Sequence, residues 1–281
     1  MRFNQVQILD TIPRGERNTA TRLYDDLLIR ASIFAPTPEV LYQRVESSRE
    51  ALDFLQTLAR RVAETGNIPI LHLECHAGDE GIRFADNTTC TWRELKPYLT
   101  ELNLATEMNL LVVMASCDGH AITHTVQPVD KAPLFALIGS TCELFPPEIE
   151  RGFLAFYSTL FQTRTASLAF RALCETRPDT YVYRSAEMIF QAVWDYCQQT
   201  QETEHGRRLR GEEFVRKYQA YIGPEVTADM VAALYRERNR HFFDLFRREF
   251  FLIDRYPHHE QRFAVVYRTP EDYEAAAPSQ E

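Results

Sequence analysis

Ile70-Leu71-His72-Leu73-Glu74-Cys75-His76-Ala77-Gly78 and Leu110-Leu111-Val112-Val113-Met114-Ala115-Ser116-Cys117-Asp118-Gly119 are two short apolar runs bounded by turn residues, and each stops at a reactive side chain. Runs this short and this rich in Leu, Ile and Val read as strands buried on both faces of a parallel sheet. Between them, Thr91-Trp92-Arg93-Glu94 has the form of a capping box. Leu95, Tyr98, Leu99 and Leu102 follow it at helical spacing. Residues 67–120 thus read as strand, turn, helix, strand, a βαβ unit whose right-handed crossover leaves the two strands parallel in one sheet. His76 and Cys117 are then expected at the same sheet edge, the carboxyl edge where open α/β sheets bind ligands.

A thiol attacks as thiolate, and an imidazole within reach can take its proton and return it to a leaving amine. A Cys–His pair therefore suits acyl transfer at a carbonyl. The oxyanion of such a reaction needs donors, and Gly78 lets the backbone approach a scissile carbonyl while the Cys117 amide supplies a second N–H. Taken singly, a histidine or a free cysteine at a strand end is more often structural. Order, spacing, strand ends and glycine together favour a site.

With these residues in hand, the segment resembles the core of the caspase-like cysteine peptidases, and most of all their bacterial CHAT-type branch, in which a histidine followed by glycine ends one strand and the cysteine ends the next. The two residues lie about 40 positions apart, against about 50 in caspases. His76-Ala77-Gly78 stands where the family has His-Gly, so the oxyanion amide falls to Ala77 or Gly78. Ala115-Ser116-Cys117-Asp118-Gly119 is not the caspase Gln-Ala-Cys-X-Gly box, and no preference for aspartate carries over. Relatives with basic specificity hold a carboxylate two residues before the cysteine, a position occupied here by Ala115. Glu74, Asp79 and Asp118 flank the pair, as carboxylates that could orient the imidazole or line a substrate pocket, or as solvated loop acids. The resemblance implies a three-layer αβα sandwich with a mostly parallel sheet, catalytic residues His76 and Cys117, a protein substrate, and no cofactor. It also implies a regulated protease in bacterial stress or anti-phage defence. The rival class is an inactive member of the same fold that serves as a docking module.

Outward from this unit the chain keeps alternating. Val6 to Ile12 reads as a first strand and the helix after Asn18 carries Ala20, Leu23, Leu27 and Leu28; Val40 to Glu46 reads as a second strand. Ser47-Ser48-Arg49-Glu50 caps a helix with Leu52, Leu55, Leu58 and Val62 on one face. Beyond Cys117, residues 118–133 read as a loop, Leu134 to Ser140 as a strand, Pro146-Pro147-Glu148 as a helix start, Ala166 to Cys174 as a helix and Tyr181 to Tyr183 as a last strand. The domains expected are a peptidase domain over 1–184, a helical extension over 185–274 and a disordered tail over 275–281.

The loop 118–133 occupies the place of the caspase activation linker but is short for one. Control by a partner or by the extension is therefore expected rather than obligatory self-cleavage. In the extension, residues 205–262 hold twelve Arg or Lys and nine Asp or Glu. Mixed charge is ordinary on exposed helices, and a docking face for a regulator or sensor protein is the functional alternative.

Composition narrows the classes further. A chain of 281 residues with 45% hydrophobic content can bury a large core. No apolar run reaches the roughly 18 residues of a membrane span, and no signal-peptide core follows Met1, so the cytoplasm is expected and a membrane is not. The net charge of −9 argues against a nucleic-acid partner. Six scattered cysteines without a C-x-x-C suggest neither a disulfide framework nor a zinc ribbon. No phosphate loop or G-x-S-x-G elbow is present.

Overall fold

The computed structural model describes residues 2–34, 36–269 and 271–273. The tail expected over 275–281 lies outside the described residues. The first unit, Met1–Val126 with Ala132–Ala186, is built on a six-stranded sheet; the second comprises Gln127–Lys131 and Glu187–Glu281.

In chain order the first unit runs β1 (Gln5–Asp10), α1 (Thr19–Ala31), β2 (Glu39–Arg44), α2 (Ser48–Thr65), β3 (Pro69–Glu74), β4 (His76–Gly78), β5 (Gly81–Arg83), β6 (Thr89–Thr91), α3 (Trp92–Ala105), β7 (Leu111–Ala115), β8 (Ala136–Ser140), α4 (Pro146–Thr163), α5 (Ala166–Thr176) and β9 (Tyr181–Ser185). The large sheet has the order β2-β1-β3-β7-β8-β9, with every neighbour parallel except β8 and β9. Ser47 accepts from the Glu50 N–H at the start of α2, and the Thr91–Glu94 box at the start of α3 is complete. Both satisfy amides that a helix leaves without partners.

Alternation along the strands sorts side chains onto two faces. Val6, Ile8, Ile70, Leu111, Val113, Ala136 and Ile138 share one core with Leu23 and Leu27 of α1 and with Phe153, Phe156, Leu160 and Leu173 of α4 and α5. On the other face Arg61 of α2 donates to Gln7, and α3 packs beside α2. The result is a three-layer α/β sandwich. Right-handed crossovers account for it: the chain moves outward from β1 to β2 under α1, then back past β1 to β3 under α2. The strand order therefore reverses between β1 and β3, the kind of switch point at whose carboxyl edge open α/β sheets bind ligands.

One expectation needs correction. Residues 76–91 are not a turn leading to a helix. They form a separate three-stranded antiparallel sheet, β4-β5-β6, inserted between β3 and α3. Likewise residues 118–133 contain a short 3₁₀ turn over Ala121–Thr125.

The second unit is helical: α6 (Ala186–Thr200), α7 (Glu204–Tyr218), α8 (Ala228–Phe250) and α9 (His259–Arg262). Phe190, Trp194, Phe243, Phe250, Phe251 and Phe263 form its aromatic core. Gln198 and Asn239 exchange amide hydrogen bonds of 3.3 and 2.7 Å inside it. Lys131 pairs with Glu249 at 3.4 Å.

Candidate functional site

The site grows from strand register. Glu74 at the end of β3 pairs with Ala115 at the end of β7, so His76 and Cys117 each stand two residues beyond a matched pair. His76 does not end β3, as the sequence suggested; Cys75 separates it from Glu74, and it opens β4. Both residues still emerge at the carboxyl edge, His76 beside the switch point between β1 and β3.

Cys117 sits in a tight turn that folds over β8. Asp118 takes a left-handed conformation, with φ of 48°. A Cβ on Gly119 would come within 2.5 Å of the Met114 Cβ, and one on Gly139 within 2.9 Å of the Gly119 carbonyl carbon, so glycine at both places lets the turn lie flat. The His120 amide and ring Nδ1 both reach the Ser140 carbonyl, at 3.4 and 3.0 Å. The Ser140 hydroxyl lies 2.8 Å from the Ser116 and Cys142 carbonyl oxygens, sharing its proton between them. The Cys117 sulfur is partly exposed and accepts the Leu144 N–H at 3.5 Å.

The imidazole has a partner that sequence reasoning missed. His76 Nε2 lies 2.8 Å from a Glu16 carboxylate oxygen. A carboxylate only accepts, so His76 Nε2 carries a proton in this pair. Glu16 lies in the loop between β1 and α1. That loop is anchored at the buried Asp10 carboxylate, which accepts from the Ile12 amide, Asn18, Tyr42 and Arg44 at 2.8, 2.7, 2.5 and 2.9 Å. Among the described residues no hydrogen bond joins His76 to Cys117 directly; each is held by a third group. The signal for Glu16 was its place after the first strand, at the switch point of the sheet.

Of the flanking carboxylates, Glu74 is corrected. It is fully buried and cannot touch a substrate. It accepts from Thr19 Oγ1 at 2.6 Å and lies 3.1 Å from His72 Nε2, while His72 Nδ1 lies 3.0 Å from the Tyr157 hydroxyl. Asp79 is exposed in the Asp79-Glu80 turn between β4 and β5, and Asp118 is half-buried beside Cys117. Ala77 and Gly78 face Ile82 and Gly81 across the small sheet, and the Gly78 carbonyl accepts from the Trp92 indole at 3.0 Å. Among the described residues no group of three or more His, Cys, Asp or Glu is placed to hold a metal ion.

Cys75 points to the opposite face. Burial pushes its thiol from 9.0 up to about 12, reinforced by the Glu74 charge. Burial, reinforced by the Glu74 charge, holds the Tyr157 phenol well above its ordinary 10.0. Both groups keep their protons longer when folded, so their contribution to stability is full below the unfolded values. It is lost as the pH climbs from those values toward the folded ones, because the unfolded chain releases its protons first. The expected fall is about 1.4 kcal/mol per pH unit for each proton. Urea denaturation from pH about 8 to about 11 should show this decline, less steep in Cys75→Ala. An unchanged slope would contradict it.

A scan against protein-family models matches none, and a search of curated proteins finds no match. Among the described residues no helix is long and apolar enough to cross a membrane.

Proposed function

We propose that the chain is a caspase-like cysteine endopeptidase, a hydrolase of peptide bonds that works through His76 and Cys117. Cys117 attacks the peptide carbonyl carbon while His76 Nδ1 takes the thiol proton. The same proton passes to the leaving amine as the C–N bond breaks. Water then hydrolyses the thioester and restores the thiol. Glu16 fixes the tautomer of His76 and balances the imidazolium; the Cys117 amide and that of Ala77 or Gly78 meet the oxyanion. The observation that supports this most is the register of β3 with β7, which sets a carboxylate-held imidazole and a partly exposed, amide-facing thiol at one level of the sheet edge. The setting we propose is a cytoplasmic bacterial protease of stress or anti-phage defence, governed by a regulatory or sensor protein at the helical extension.

Intact-mass measurement after treatment with peptidyl acyloxymethyl ketones tests it, using basic, acidic and apolar residues before the ketone. One adduct is expected on the wild type and none on Cys117→Ala, and the reactive probe reports the side chain preferred. Failure of every probe, both on the isolated chain and after candidate regulatory proteins are added, would assign the fold to a docking platform instead.

A further inference from the structure

We infer that Cys117 and Cys142 form a peroxide-driven disulfide that reversibly locks the nucleophile. Leu111, Val112 and Val113 of β7 pair with Ala136, Leu137 and Ile138 of β8. Cys117 lies in the turn that follows β7 and Cys142 in the bend that follows β8, so the two cysteines leave neighbouring strands. A disulfide between them needs a Cα separation of about 4.4–6.8 Å.

Two contacts hold the segments together beyond the strands. The Ser140 hydroxyl is 2.8 Å from the carbonyls of Ser116 and Cys142, and the Leu144 amide is 3.5 Å from the Cys117 sulfur. Both thiols are partly exposed, whereas Cys75 is buried. Cys75 also lies on the other face.

The chemistry needs one oxidant, a peroxide. The Cys117 thiolate attacks its O–O bond, giving a sulfenic acid and, with one proton, water or an alcohol. The Cys142 sulfur then attacks the sulfenic sulfur, the S–S bond forms, and hydroxide leaves to take up the Cys142 proton as water. Each peroxide removes two electrons from the thiol pair. Cys142 thereby intercepts Cys117 before irreversible oxidation to sulfinic acid.

This lock rests on the nucleophile proposed above, but its readout is a mass and needs no turnover. The full-length reduced chain is treated with hydrogen peroxide, capped with an alkylating agent and mapped with trypsin without reduction. Cleavage after Lys131 separates the two cysteines. The wild type should lose two hydrogens and yield linked Cys117 and Cys142 peptides, with ketone labelling lost and then regained under a thiol reductant. Cys142→Ser should instead gain oxygen atoms on Cys117, and Cys75→Ser should behave as the wild type. A bridge to another cysteine, no reaction, or oxygen gain on wild-type Cys117 as fast as in Cys142→Ser would overturn the inference. A correct bridge in a chain that no ketone labels would remove the peptidase reading and leave the bridge standing.

Discussion

Glu74→Ala is expected to lower folding stability by about 3–5 kcal/mol, because it breaks a fully buried ionic and hydrogen-bonded network by removing one member. Thr19, His72, Glu74 and Tyr157 are at most 2% exposed. With the carboxylate ionised and the imidazole neutral, Thr19 and His72 Nε2 donate to Glu74, and Tyr157 donates to His72 Nδ1. Without the carboxylate, two donors lose their acceptor and no water reaches them. Glu74→Gln keeps one acceptor but turns an N–H₂ toward a donor, so about 1–3 kcal/mol is expected. Urea denaturation measures both. A loss below about 1 kcal/mol for Glu74→Ala would mean that the network is not a structural element. It also pins the first residue of α1, Thr19, to the end of β3, which fixes the loop that presents Glu16.

His76→Ala should slow both ketone alkylation of Cys117 and peptide hydrolysis by about 10²–10⁴-fold, the ordinary worth of a positioned general base. Glu16→Gln should cost far less. The pair is 38% and 49% exposed, and ion pairs so open to water are worth about 0.2–1 kcal/mol. That is less than tenfold, since tenfold requires about 1.4 kcal/mol. Added salt should narrow the gap between wild type and Glu16→Gln, whereas the His76→Ala deficit should persist. Alkylation rates on the folded variants measure this. Equal rates for wild type and His76→Ala would show that the thiol needs no imidazole.

Much of the architecture could be read from residue patterns because the large strands are continuous apolar runs and the helices carry capping residues. Ser47, Thr91 and Thr227 each accept a backbone N–H at a helix start. The small sheet escaped because its strands are three residues each, too short to show a period, although Asp79-Glu80 and Asp86-Asn87 marked its turns. Helix α7 escaped for another reason: it is charged along its length, and Gly211 is its only buried residue among those described, so no apolar stripe announces it. His76 and Cys117 were found because strand ends are legible. Glu16 was not, since its partner lies 60 residues away and only the reversal of strand order brings the two loops together. Glu74 looked like a rim acid by proximity to His76, yet strand alternation turns it inward beneath α1.

His76 belongs to the three-stranded sheet and Cys117 leaves the six-stranded one, so base and nucleophile are carried by different hydrogen-bonded bodies. A single residue, Cys75, joins them along the chain, and the Trp92 indole on the Gly78 carbonyl ties the smaller body to α3. The far turn of the smaller body is fastened as well, since the Asp86 amide donates to the Glu46 carbonyl at 3.1 Å and the Ser48 amide to Thr88 Oγ1 at 2.9 Å, so the sheet that carries the imidazole is held at both ends.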